Sequence, residues 1–212
     1  MALSGNKLAG GNPKDGRVDD DFYATDPKAV KMLLNILRND LKYIPEDTEF
    51  YAPKLLLEPC VGEGHIADTV NRYYNDYFLM TGLDIVDRGW SNGRFIKENF
   101  LTWKYETLYD LIITNPPYSL AKEFVEKSME CLKIGGIMAM FLKIQFLEGA
   151  KRKELFDKYP PKYIYVFRNR MATWNNGQPK DPKTGKKWAT TMCHAWFIWE
   201  KGNRSEPIVR WL

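Results

Sequence analysis

Cysteine and histidine are scarce in this chain of 212 residues, which holds three of the first and two of the second. Cys60, Cys131 and Cys193 are widely spaced and odd in number. That excludes a disulfide framework and a cysteine-based metal site. His65 and His194 do not stand at a metal-ligand spacing, so no metal is expected. Long apolar runs are missing too. No stretch is long enough to span a bilayer and no leader pattern opens the chain, so no membrane partner is expected and a reducing cytoplasm is the expected setting. Basic charge is outnumbered by acidic charge over most of the chain and crowded in one stretch. The net charge of +4 combines a balance of −5 over residues 1–150 with +8 over residues 151–187 and +1 over residues 188–212. Such crowding suits a polyphosphate partner or, more plainly, a solvated loop.

What is present reads as one α/β domain over residues 21–212, preceded by a flexible polar arm at 1–20. Thr25 suits a helix cap and Pro27 the first helical turn, with Val30, Leu33, Leu34 and Leu37 on one face. Strands are expected at 54–58, 78–85, 94–97, 110–114 and 137–143. Helices are expected to about residue 75, over 119–132, and over 148–158. A late antiparallel pair, 163–167 with 194–200, brackets a basic loop at 169–191. Strands alternating with helices predict a mostly parallel sheet covered on both faces.

The chemistry concentrates at Asn115-Pro116-Pro117-Tyr118, which follows the buried run Leu111-Ile112-Ile113-Thr114. The Asn115 side-chain oxygen and the Pro116 carbonyl can each accept one hydrogen of a planar NH₂ group. The two prolines fix φ and remove competing donors. The Tyr118 ring offers a face for a flat base. This corner suits transfer of a methyl group to an exocyclic amine. Glu58-Pro59-Cys60-Val61-Gly62-Glu63-Gly64 forms a glycine turn after a strand, where ligands bind α/β sheets. It is not a phosphate loop and it lacks the third glycine of the dinucleotide fingerprint. Its opening Glu58 suits a cationic amine. Asp84 ends the next strand and can accept from two ribose hydroxyls, or stand solvated. Asn99 and Phe100 follow the third strand. They can hold an adenine ring, or Phe100 can be plain core.

In this order the segments resemble the class I methyltransferases that act on amino groups, particularly small phage-type DNA adenine-N6 methyltransferases. The matching residues are Phe22-Tyr23-Ala24-Thr25-Asp26-Pro27, Glu58 to Gly64, Asp84 and Asn115 to Tyr118. Phe167-Arg168-Asn169-Arg170 and His194 to Trp199 resemble the family's closing strands. Asp26 interrupts the family's usual Thr-Pro pair. The resemblance implies a Rossmann-like class I fold with a seven-stranded sheet, S-adenosylmethionine as cofactor, and the cytoplasm of a bacterial or phage-infected cell. It implies that Tyr23 and Thr25 line the methionine end of the cofactor. Glu58, Gly62 and Gly64 would form its floor and Asp84 would hold the ribose. Asn115 and Pro116, stiffened by Pro117, would grip the amine while Tyr118 stacks on the base. DNA contacts would come from Lys151 and Arg152, from Arg168 and Arg170, and from Lys180, Lys183, Lys186 and Lys187. Trp174 is the candidate second aromatic, or else a surface or core tryptophan. No target-recognition domain is left over, which implies a short or relaxed target sequence. RNA adenine, a protein glutamine amide, and a non-catalytic nucleic-acid-binding module are the alternatives.

Overall fold

The computed structural model describes residues 23–49, 51–74 and 76–212. The expected arm and Phe22 lie outside the described residues. A short strand β1 (Tyr23–Ala24) leads into helix α1 (Pro27–Asn35), which widens into a π turn at Ile36–Asp40. Alternating elements follow: β2 (Lys54–Glu58), α2 (His65–Tyr74), β3 (Phe78–Asp84), β4 (Arg94–Lys97), β5 (Tyr109–Thr114), α3 (Ala121–Cys131) and β6 (Leu132–Lys143). The chain closes with α4 (Lys153–Lys158), β7 (Tyr163–Val166), β8 (Trp174–Asn175), β9 (His194–Glu200) and β10 (Ile208–Trp211).

The main sheet runs β4-β3-β2-β5-β6-β9-β7-β10. From β4 to β6 every pairing is parallel. β9 is antiparallel to both β6 and β7. One strand more than the expected seven is present: β10 pairs parallel to β7 at the edge. All four of its residues are exposed, so it lacks the alternation that marks a half-buried strand. The chain moves outward from β2 to β4 and then returns to the other side of β2 to make β5. This reversal places the turns after β2 and β5 side by side, where open α/β sheets form ligand crevices.

The central strands β2, β5, β6 and β9 are largely buried on both faces, which explains their near-continuous apolar runs. Leu111 and Ile113 of β5 join Leu33, Ile66, Phe141 and Trp196 under α1 and α2. Ile112 points the other way, into a layer with Phe124, Met129, Met138 and Phe197 under α3. Asp26, not Thr25, caps α1: its carboxylate accepts from the Lys28 amide at 2.8 Å. A carboxylate beside orphan amides outcompetes a hydroxyl one residue earlier. A 3-10 turn at Tyr118–Leu120 delays α3, and β6 begins earlier than expected because Gly135, at φ +75°, lets the strand bend without ending.

Trp90 is the wedge of the α2 side. A Cβ on Gly64, Gly82 or Gly93 would lie 2.1, 2.6 or 2.6 Å from its indole. Its Nε1 donates to Asp68 at 2.9 Å. Gly64 also sits at φ +88°, which L side chains rarely adopt. Gly64→Ala combines a clash with backbone strain and should lower unfolding stability by roughly 2 kcal/mol or more, read from the urea midpoint.

Candidate active site

Thr114 ends β5 fully buried, and Asn115 turns the chain out at the carboxyl edge. The Asn115 Nδ2 donates to the Tyr23 carbonyl at 2.9 Å. A carbonyl only accepts, so this bond fixes the amide's orientation and leaves Oδ1 facing away from β1 as an acceptor. The Leu120 amide takes the Pro117 carbonyl at 2.9 Å, and the Pro116 carbonyl stays outside that turn. Both acceptors expected for an NH₂ group are therefore built from backbone-braced parts.

Tyr118 is half-buried, not open. Its ring lies 6.1 Å from that of His194, and the Lys143 ammonium sits 5.0 Å over its face. Its hydroxyl is buried without a partner, and burial, with Tyr23 nearby, pushes its pKa up. His194 is buried and stacks on Phe141 at 4.7 Å. Its Nδ1 lies 2.8 Å from the Met171 carbonyl, so Nδ1 carries the proton and Nε2 is an acceptor, buried and without a partner. Burial, then the Lys143 and Arg170 charges, lower its pKa to about 4 against the Met171 bond. Thr25, 2% exposed, likewise has an Oγ1 with no partner. Freed from capping α1, that hydroxyl is an unsatisfied polar group beside β1.

The glycine turn is drawn to Asp84. Gly62, at φ +53°, donates its amide to Asp84 Oδ2 at 2.9 Å, and Asp84 Oδ1 accepts from the Val86 amide at 3.0 Å and from Arg88 at 3.2 Å. Asp84 thus joins the turn to the end of β3. Glu58 departs from the expectation of an open floor. It is 2% exposed, its Oε2 accepts from the Ala67 amide at 2.9 Å, and burial raises its pKa well above the usual carboxyl value. It anchors the first turn of α2, because orphan amides at a helix start attract a carboxylate. Gly64 makes room for Trp90, as described above. Phe100 is core: it is 2% exposed and its ring lies 5.2 Å from Phe124. Asn99 stays exposed, but its side chain closes a local turn on the Leu101 amide at 3.0 Å. Ile85, expected to close the strand, lies just past its end at Asp84 and is 58% exposed.

The basic candidates divide. Lys180, Lys183, Lys186 and Lys187 are exposed on a small hairpin closed by an antiparallel bridge between Lys180 and Lys187. Arg168 is exposed as well. Lys151 lies in the 3-10 turn Ala150–Arg152. Arg170 is turned to its own loop, donating to the Thr191 carbonyl at 2.7 Å and to Cys193 Sγ. Arg152 is folded back on the Gln145 and Glu148 carbonyls. Arg152 found carbonyl acceptors close by in sequence and Arg170 one across the loop at Thr191, which a count of charges does not reveal. Trp174 belongs with the glycine turn instead: β8 pairs with β1, and its ring meets His65 edge-on at 5.5 Å. Gly177 presses on Glu63, whose Oε2 would lie 2.0 Å from an added Cβ.

Comparison with solved structures agrees with this fold. The chain is similar to a protein from Listeria monocytogenes described as a class I S-adenosylmethionine-dependent methyltransferase, with a TM-score of 0.63, 14% identity, and coverage of 89% of this chain and 65% of that one. It is similar to the methyltransferase subunit of a type I restriction-modification system from Streptococcus thermophilus, with a TM-score of 0.63, 15% identity, and coverage of 99% and 53%. The fold is that of the class I methyltransferases. The chain spans less than two thirds of the length of both proteins. No family model matches the sequence, and no curated protein does. Among the described residues, no helix is long and apolar enough to cross a membrane, and no cluster of His, Cys, Asp and Glu is placed to hold a metal.

His194 gives this class I fold a pH signature. Below pH 6.5 the unfolded chain binds a proton that the folded one refuses until about pH 4, so stability falls as pH drops through that window. His194→Asn should remove a slope of about 1.4 kcal/mol per pH unit there, measured by urea unfolding across the window.

Proposed function

We propose that the chain transfers a methyl group from S-adenosylmethionine to the N6 amine of adenine in DNA. The observation that carries this reading is the locked Asn115 amide, whose free oxygen sits at the sheet's reversal point beside the glycine turn. The residues present fit the cofactor: Thr25 offers a buried unpartnered hydroxyl, and Asp84 and Gly62 mark the crevice floor at the end of β3. The cofactor supplies an electrophilic methyl group on a sulfonium.

The chain's own residues do the rest. Adenine's amine is a poor nucleophile because its lone pair is delocalised into the ring. Asn115 Oδ1 and the Pro116 carbonyl accept its two hydrogens and favour an sp³-like nitrogen with its lone pair turned outward. Positive charge grows on that nitrogen during transfer, and the two fixed acceptors stabilise it. The prolines hold the acceptors in register, so positioning supplies much of the acceleration. No strong base is required, because the methylated ammonium is acidic enough to lose its proton to water. Tyr118 stacks on the extruded base after Lys143 yields its face. The exposed lysine hairpin follows phosphates. With loop 169–191 as its main contact surface in one domain, the enzyme reads a short or relaxed sequence.

The test offers tritiated cofactor to unmethylated DNA, to RNA and to protein, followed by product analysis. Label in N6-methyladenine from DNA is expected. Label confined to RNA or to glutamine redirects the substrate, and cofactor binding without transfer reduces the protein to a binding module. Asn115→Ala should lower turnover about a hundredfold with the cofactor dissociation constant unchanged. Replacing Lys180, Lys183, Lys186 and Lys187 by Ala should flatten the slope of log affinity against log salt by about 0.9 per lost phosphate contact.

A further inference from the structure

Directly after β6, at the same carboxyl edge as Asn115, lies a 3-10 turn at Ile144–Leu147. Three attachments hold it. Phe146 is buried, edge-on to Phe156 and Phe197 at 5.6 Å each. The Arg152 guanidinium covers that ring at 4.9 Å and donates to the carbonyls of Gln145 and Glu148. The Ile144 amide donates to the Cys193 carbonyl at 2.9 Å. Against this bracing, Leu147 is 43% exposed. Isolated exposed leucines are ordinary on protein surfaces. A leucine raised on a turn pinned by a buried ring and a guanidinium is not ordinary, because its side chain pays little further ordering entropy on contact.

The position is as telling as the mount. Lys143, at the root of the turn, reaches the face of Tyr118, so the turn borders the base-binding corner. The basic stretch 151–187 begins just beyond it. We propose that Leu147 is the apolar wedge that enters the base stack when the target adenine leaves it. Extruding a base opens a gap in the duplex, and proteins that distort DNA fill such gaps with aliphatic side chains. Arg152 acts here as a positioning residue, stiffening the turn that carries the wedge. The inference rests on the DNA reading above and adds to it the group that forces extrusion.

The test uses the full chain and an oligonucleotide duplex spanning an adenine found methylated by product mapping. That adenine is either paired with thymine or mispaired with cytosine, which weakens its hold in the stack. Leu147→Ala should lose about tenfold or more in kcat/KM on the paired duplex, and Leu147→Met should keep most of it. On the mispaired duplex Leu147→Ala should come within about threefold of wild type, since less work of extrusion remains. Cofactor affinity and melting temperature should not move. Wild-type rates for Leu147→Ala on the paired duplex overturn the wedge, and so does an equal loss on both duplexes, which marks an ordinary contact. A wild-type protein that labels no DNA sinks the DNA reading itself, visibly, before any variant is made.

Discussion

One hydrogen bond holds together the segments on which the site depends. The Asn115 amide nitrogen donates to the Tyr23 carbonyl, across 92 positions of sequence. It fixes the side-chain amide's orientation and ties the N-terminal strand to the corner after β5. Through β1 the tie extends to β8, and through the Trp174 ring to His65 at the start of α2. The corner after β5, the glycine turn and the basic loop are thereby parts of one assembly. Without this bond the Asn115 amide could rotate, and a fixed acceptor would become a solvated one. Fixed dipoles are worth more than mobile ones because they need no reorganisation when charge develops.

Beneath that assembly the sheet does the positioning. β2 and β5 are neighbours because the chain reverses direction between them, so two turns remote in sequence end at one edge. Strands buried on both faces cannot slip register without moving apolar side chains into water, which holds the edge steady. The buried partnerless atoms of Thr25, Tyr118 and His194 lie above this frame. Buried polar groups are ordinarily satisfied, and these three unsatisfied ones stand on segments that meet at one sheet edge.

Much of this was legible in the sequence. Apolar runs such as Leu111–Thr114 and Ile137–Lys143 named the central strands, and the alternation of strand and helix named the parallel sheet. The late antiparallel pair was visible in the aromatic run His194–Trp199. Side-chain direction was not legible. Glu58 looked like a ligand-facing acid and is buried against α2, because the first amides of that helix are its nearest unsatisfied partners. Phe100 was balanced between cofactor and core, and the contact with Phe124 decides for core. Arg152 and Arg170 counted as cations in a charge tally, yet both guanidiniums are engaged at the surface by backbone carbonyls. Trp174 was placed by its neighbours in sequence, whereas its position follows from the pairing of β8 with β1, a contact too remote for local patterning.

The indole of Trp90 carries a lesson about descent. Three glycines, at 64, 82 and 93, each bring their Cα against that ring, with Val61 also crowding Gly82 and the Met80 carbonyl crowding Gly93. A lineage that lost the tryptophan would open space at all three places at once, and one that gained a methyl at any of them would have to move the ring. The residue that looks most like a mark of ligand binding in the glycine turn is answerable, in part, to a buried neighbour of its own fold.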